Sequence, residues 1–581
     1  MNSLLATLRR FTLLMWGRVA LVVLGAFLFL AAALYGFGGP YTYGHYGYHA
    51  GEFSTRARHT LRHASILPGN VPGATPPTPG SYYLHHPILT AQVVTFTFAL
   101  FGDHETSVRL AGLLTSAATL LALAFLIRRL HGATLAALSV LLFALTPFNI
   151  WYADHIDTGY PGLALVLLSL LAYDRWLERG RWVDGVVSLA AVSLGGCFDW
   201  DPFLFAVPWG VHVAAVAWSR RGRYLTFLPC LVLALLIPLA VQALAVSAAH
   251  QWGDLMGAYY TRAAAMSFRS FLPVMAVYGR DLFGYPLLAC CAAGFVLALA
   301  RVVRGAWHGQ VSDALDTRAL ALVSLVVVMA LHLAIFRIEV VTHAYRLIYF
   351  APAVVLGAVE TVTAVVALAG AWRGPRGARA LAAGLSAALV LATLPTAWRG
   401  LLESRAHGGI PNWRAMDPNL PRAVVARELR DRSRLGDRLY LHGSFSFRME
   451  IGFYLDRDFV PATVATVAAL PAPERRALFV FAPGSLSQRE RPIVEELAAQ
   501  HPYTRIGPYA IIDLRTAGEQ TTAYSLTSPR PRTAWQAYWQ GPYPWPVLTP
   551  EPGGVPEVMK PFPSRARGGR DVRSPARPGE L

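Results

Sequence analysis

The sequence predicts a polytopic α-helical membrane protein that crosses a bilayer about eleven times. Three observations carry that reading. Of 581 residues, 54% are hydrophobic and 15% charged, whereas a soluble domain carries about a quarter of its residues as charges. The apolar residues fall in long runs, as at 19–35, 223–247 and 317–336, and a run of about twenty matches the thickness of the hydrocarbon core. Arginines recur in every second connecting loop, as the positive-inside rule requires of cytoplasmic turns.

The predicted spans are 19–36, 107–130, 133–151, 158–176, 182–197, 202–218, 223–247, 284–304, 317–336, 345–370 and 380–398. All are helical, because only a helix satisfies its own backbone in lipid. Arg9, Arg10 and Arg18 precede the first apolar run in the manner of a signal peptide. No small-residue cleavage site follows, so the run reads as an uncleaved first span. The basic turns carry Arg128 and Arg129, then Arg179 and Arg181, Arg220, Arg221 and Arg223, Arg301 and Arg304, and Arg373, Arg376 and Arg379. With the N-terminus inside, all of them fall on the cytoplasmic face of a plasma (inner) membrane. The apolar segment 88–101 is short for a crossing, and counting it as one would reverse this pattern. It reads as a re-entrant or juxtamembrane helix.

The net charge of +17 follows from those turns and from attraction to anionic lipid, not from nucleic-acid binding. Cys197, Cys230, Cys290 and Cys291 lie in or beside apolar runs without paired spacing. They read as core thiols, not as a disulfide or metal framework.

After the transmembrane domain, 1–400, residues 401–520 read as a small extracytoplasmic α/β domain. A helix is expected at 422–433, strands at 438–442, 477–482 and 508–514, and a second helix near 487–500. From 521 to 581 Pro, Gly and Arg dominate, a composition that predicts disorder.

The chemistry-bearing residues gather in the outer loops. The stretch 51–64 has helical spacing, with Phe53, Ala57, Leu61 and Ala64 on one face and Arg56, Arg58 and Arg62 elsewhere, as in a helix lying on the membrane surface. Glu52 is the lone carboxylate from 37 to 102. It reads either as a solvated ion pair or as a functional acid. His85 and His86 precede Pro87 at the mouth of the short apolar segment. They suit a phosphate, a metal or a proton shuttle, or the ordinary membrane interface. Asp154, His155 and Asp157 surface together in the second outer loop, with a helix cap as the alternative role for Asp157. Asp199 and Asp201 do the same in the third, where Asp201 before Pro202 reads as an N-cap.

Between spans nine and ten, Arg337, Glu339, His343 and Arg346 stand at the same face. Arginines there run against the charge rule and call for a partner, either a lipid phosphate or, for Arg337, the neighbouring Glu339. Glu360 sits deeper and reads as a helix–helix hydrogen bond or part of a polar cavity.

In order along the chain stand a first-loop helix with Ala57-Arg58, then the pattern YYLHHPIL…FALFGDHETSVRLAGLL at 82–114 and the basic turn IRRLHG at 127–132. TPFNIWYADHID at 146–157, FDWDPF at 198–203 and THAYRLIYFAP at 342–352 follow. In this order the chain resembles the GT-C glycosyltransferases, in particular bacterial relatives of the protein O-mannosyltransferases and of the lipid A aminoarabinose transferase. The likeness covers roughly 10–400. It implies a GT-C fold and transfer of a sugar, with inversion, from a polyprenyl-phosphate donor to a protein, lipid or glycan acceptor on the extracytoplasmic side.

Carried over, it makes Glu52 the general base, with Asp154 and Asp157 as further acids of the catalytic site. His85, His86, His155, Arg58, Arg337, His343 and Arg346 would bind substrate, and a divalent metal ion remains open as a cofactor. The chain departs from its relatives where Gly51, not Asp, precedes Glu52, and where His85-His86-Pro87-Ile88 replaces an Asp-Lys-Pro-Pro pattern. The alternative class is a transporter or lipid-binding scaffold. Transporters favour inverted repeats and mid-membrane charge, and here the polar residues cluster at one face.

Overall fold

The protein was analysed as a computed structural model. It describes residues 2–515 apart from breaks at 35–36, 38–40, 42–44, 70–74, 79–80, 158, 221–222, 264–265, 309–315, 408–419, 435–436, 446–448, 472–476 and 507. Arg221 and the tail for which disorder is expected lie outside the described residues.

Helices dominate. In chain order they are α1 (Asn2–Ala33), α2 (His45–His63), α3 (Leu89–Phe101), α4 (Glu105–His131), α5 (Ala133–Leu145), α6 (Pro147–Tyr152), α7 (Gly159–Arg179) and α8 (Trp182–Gly196). There follow α9 (Asp201–Arg220), α10 (Arg223–Ala248), α11 (Trp252–Arg262), α12 (Phe268–Leu282), α13 (Tyr285–Trp307), α14 (Thr317–Ile335), α15 (Arg337–Thr342) and α16 (Phe350–His407). Among the described residues, eight stretches are long and apolar enough to cross a membrane. These are Met15–Ala33, Glu105–His131, Asp201–Ser219, Tyr224–Ala248, Tyr285–Gly305, Thr317–Ile335, Ala344–Trp372 and Gly374–Leu402. The other three expected spans fall on α5, α7 and α8, which are shorter or less apolar.

Local chemistry sets several boundaries. The expected span 133–151 is broken into α5 and α6 because Pro147 removes a backbone donor and disfavours helix in the residue before it. The last two spans run as one assigned helix, α16, interrupted at Gly374, whose φ of 71° only glycine adopts without strain. The short segment 88–101 forms the separate 13-residue helix α3.

Apolar side chains of α4, α5, α7, α9, α10, α13, α14 and α16 share one continuous core. An aromatic cluster ties α7 to α10, with Trp176 and Phe227 stacked at 4.3 Å between ring centroids. Helices α13 and α16 approach through glycines. A Cβ on Gly294 would collide with the carbonyl oxygen of Gly357, and one on Gly357 would lie 2.6 Å from Cys291 Cα. Small residues permit such backbone approach in membranes. Gly294→Val is therefore expected to destabilise the detergent-solubilised protein by about 1–3 kcal/mol, read as a fall in its thermal midpoint. An unchanged midpoint would show that the two helices separate at no cost.

Glu360 pairs with Arg301 on α13 and lies 3.5 Å from His131 at the end of α4. Of its two readings, the structure shows the helix–helix contact.

The C-terminal region carries a five-stranded mixed sheet of order β2-β1-β3-β5-β4. Its strands are β1 (Arg438–His442), β2 (Phe459–Ala462), β3 (Ala477–Phe481), β4 (Tyr503–Ile506) and β5 (Tyr509–Asp513). β1 runs parallel to β2 and β3, while β5 is antiparallel to β3 and β4. The helices of this region are α17 (Leu420–Arg432), α18 (Met449–Leu455), α19 (Val464–Ala468) and α20 (Glu490–Gln500). The three inner strands are those the sequence predicts. β2 and β4 escaped it because they are four-residue edge strands without a buried face, and β2 contains Pro461.

Candidate active site

Helix α2 is packed into the protein over the turns that carry Glu52: Glu52 is 4% exposed, Arg56 1% and His59 1%. Of the two readings of Glu52, a solvated ion pair is not what the structure shows. Helical spacing places His49, Glu52 and Arg56 at i−3, i and i+4, on one face. Glu52 forms an ion pair with Arg56 and lies 3.3 Å from His49 Nδ1. Burial acts to raise the Glu52 carboxyl, but Arg56 and His49 outweigh it and hold the group below the usual carboxylate range. The Arg56 guanidinium stacks 3.4 Å above the Tyr83 ring. The bond is thus buried and fixed, not solvated.

From His49 the network crosses to the far end of the chain. Its Nε2 is 2.7 Å from the Tyr345 hydroxyl. Tyr345 and Arg346 sit on the 3-10 turn Ala344–Tyr349, whose residues from Tyr345 to Tyr349 are all buried. Arg346 is the hub. Its Nε lies 3.0 Å from Glu339, and its Nη1 lies 3.8 Å from both Asp157 and Asp199. Its Nη2 approaches His86 Nε2 at 2.9 Å.

Arg262, at the end of α11, approaches the same His86 nitrogen at 2.9 Å and Glu339 at 4.0 Å. Guanidinium groups only donate, so His86 Nε2 must accept, which leaves the proton on Nδ1. That buried Nδ1 has no hydrogen-bond partner among the described residues. Burial, then Arg262 and Arg346, keep the His86 ring well below the usual histidine range, as a neutral acceptor requires. Asp199 is pushed upward by burial and then by Asp201, against the pull of Arg346.

The loop that follows α6 is set by close packing. A Cβ on Gly112 of α4 would collide with the backbone of Asp154 and His155, so glycine is needed for this approach. Asp154 faces Arg109 at 3.8 Å. The His155 ring packs 5.1 Å from Tyr345 and 5.9 Å from His49, and the His343 ring is likewise 5.9 Å from His49. A small cavity lies here, lined by residues including His155, Asp157, Tyr160, Tyr345 and Arg346.

Glu52, His86, His155, Asp157, His343 and Arg346 are thus brought together from separate loops, with Asp154 at the margin. His85 stands beside them, its ring 5.1 Å from Tyr83. Arg58 and Arg337 are not brought in. Arg58 turns to Asp103 and Asp456, and Arg337 lies over the Phe268 ring at 4.5 Å. Glu339, weighed in the sequence as the partner of Arg337, pairs instead with Arg346. Asp201, read as an N-cap, binds His332 at 2.6 Å.

Sequence reasoning missed His49, Arg56 and Arg262. The first two were legible from their spacing to Glu52; nothing local marks Arg262. Among the described residues, no group of three or more His, Cys, Asp or Glu side chains is placed to hold a metal ion.

The fold has counterparts. ArnT from Cupriavidus metallidurans in the apo state superposes with a TM-score of 0.55 at 14% identity, over 87% of this chain and 99% of that one. The same protein bound to undecaprenyl phosphate gives 0.53 at 13% identity, over 85% and 98%. The chain has the GT-C glycosyltransferase fold.

The GT-C match extends to sequence. A family described as dolichyl-phosphate-mannose-protein mannosyltransferase matches residues 85–247, which include His86, Asp157 and Asp199 of the cluster. An oligosaccharyltransferase from Archaeoglobus fulgidus in the apo form gives a TM-score of 0.49 at 12% identity, over 80% of this chain and 69% of that one. No curated protein matches the sequence significantly.

Proposed function

We propose that the protein transfers a sugar from a polyprenyl-phosphate donor to an acceptor hydroxyl or amine, with inversion and on the extracytoplasmic side of the plasma membrane. One observation carries this reading. A buried, ionised Glu52 stands within one connected network of a cation-rich cluster in which Arg346 and Arg262 converge on His86. A displacement at a sugar carbon needs both parts: a base for the acceptor's proton, and positive charge where the leaving phosphate develops its negative charge.

In this mechanism Glu52 accepts the acceptor proton as the new glycosidic bond forms. The bond from the sugar to the lipid phosphate breaks, and the phosphate leaves toward Arg346 and Arg262. The His86 Nδ1–H supplies a further donor to it, which accounts for a buried donor without a partner among the described residues. Asp157 and Glu339 hold the Arg346 fork in place. The undecaprenyl phosphate bound by the ArnT structure supports the class of carrier. The sheet region then lies outside with the acceptor, and the N-terminus inside.

The test uses purified full-length protein in lipid with a panel of labelled polyprenyl-phosphate sugars. Release of sugar from one donor is expected, with the label appearing in product of inverted anomeric configuration. If no donor is consumed, the non-enzymatic reading, a transporter or lipid-binding scaffold on this fold, replaces the enzyme.

A further inference from the structure

The sheet region touches the helix that carries Glu52, and it does so through ionic and hydrogen bonds. Arg58 lies six residues beyond Glu52, about 9 Å along the helix axis. It donates two hydrogen bonds to Asp103, at 2.5 and 2.9 Å, and a third to the Phe453 carbonyl at 2.9 Å. Its Nη1 also lies 3.2 Å from Asp456, and its guanidinium stacks 4.6 Å over the Phe453 ring. One turn further on, Arg62 donates to both carboxylate oxygens of Asp456, at 3.1 and 3.0 Å.

A second attachment lies closer to Glu52, at Ser54. The Tyr41 hydroxyl and Ser54 Oγ are 2.7 Å apart, and the Tyr41 backbone N–H donates to the Tyr454 hydroxyl at 2.8 Å. Both attachments end in the same short segment, 453–456. That segment is itself held: Arg457 donates to the carbonyls of Arg430 and Ser433.

We infer that the segment Phe453–Asp456 is a positioning device for α2, and that Asp456 sets where Glu52 stands relative to Arg346. This rests on the reading of Glu52 as the base. An α-helix is stiff over two turns, so a shift at Arg58 and Arg62 is passed to Glu52. The side chains also differ in how replaceable they are. Asp103 holds Arg58 more closely but is 39% exposed, whereas Asp456 is 14% exposed and is shared by Arg58 and Arg62, so it alone ties two turns of α2 to the C-terminal region. Asp456 adopts φ of 44° just past α18, with its N–H donating to Gly452. This is a helix-end conformation that Asp and Asn tolerate and most residues do not. It aims the carboxylate at two arginines one turn apart on α2.

The experiment compares full-length wild type with Asp456→Asn, which keeps the backbone conformation, and with the milder Arg62→Gln. Glu496→Gln, on the exposed side of α20, serves as the control. Hydrogen–deuterium exchange over 45–63 is read alongside donor turnover. Asp456→Asn is expected to speed exchange across α2 while leaving the transmembrane helices and the thermal midpoint unchanged. It should lower kcat by between about tenfold and a hundredfold, as misplacement of a reacting group does, with the donor KM within twofold. Arg62→Gln should do the same to a smaller degree. Unchanged exchange over 45–63 in Asp456→Asn would overturn the inference, as would faster exchange throughout the protein with a lowered midpoint. A wild type that consumes no donor would count against the proposed function, and the exchange data would still decide the positioning role.

Discussion

Glu52→Gln is expected to lower donor turnover by about 10²–10⁴-fold, the usual contribution of a general base, with donor binding near wild type. The thermal midpoint falls as well, because the buried Arg56 loses its counter-charge, so turnover is read on the folded protein below that midpoint. Glutamine keeps the length of the side chain but carries no charge and cannot accept a proton. The pH dependence gives a second signature. Because Arg56 and His49 hold the carboxyl below its ordinary value of 4.5, the base stays ionised, and activity persists, until the pH falls through that lowered value. The acid limb of kcat/KM should therefore lie below about pH 4.5.

Burial is the largest influence on Glu52 and acts upward; Arg56 is what overcomes it. Arg56→Gln removes that opposition, so the limb should move up in pH. A Glu52→Gln enzyme that turns over at the wild-type rate would remove Glu52 from the mechanism while leaving the fold untouched. An acid limb that stays fixed in Arg56→Gln would show that another group is titrating.

The second large effect belongs to Arg346. Its guanidinium serves Glu339, Asp157, Asp199 and His86 at once. Arg346→Gln takes a shared cation from three buried carboxylates, of which Glu339 keeps Arg262 at 4.0 Å, and loss of one partner from a buried ion pair costs about 3–5 kcal/mol. With Arg346 gone, the factors that raise Asp199, burial and Asp201, go unopposed by it. Asp199 should then take up a proton at higher pH.

Arg346→Lys separates charge from geometry. Lysine keeps the positive charge but presents a point donor where the fork now reaches several partners. It should retain most of the thermal stability and still lose turnover by about 10²–10³-fold, as when a donor to a developing anion is removed. The readings are kcat at saturating donor and the thermal midpoint. A well-folded Lys variant with unchanged kcat would show that the phosphate is stabilised elsewhere.

Much of the architecture was legible because its causes are local. A run such as 223–247 has to be a helix in lipid, whatever surrounds it. The inner strands 438–442, 477–482 and 508–514 announce themselves by continuous apolar character. Chain order alone also placed Glu52, His86, Asp157 and Arg346 among the residues of interest, since each stands in or beside a segment that connects apolar runs, where a charge near hydrocarbon needs a reason. Edge strands β2 and β4 gave no such signal, because an edge strand has little buried surface to encode.

What the sequence determined, then, was which residues are forced to one end of the bundle. Only the tertiary structure decided which of them meet. Arg337 and Arg346 are nine residues apart and alike in context, yet one rests on Phe268 and the other holds the centre of the cluster. Arg262 and Asp456 come from distant segments with no motif at all. Hydropathy is a property of a stretch of chain, so it survives in the sequence. The partner of a guanidinium is a distance of 3 or 4 Å between segments hundreds of residues apart, fixed only when the helices and the C-terminal sheet have packed.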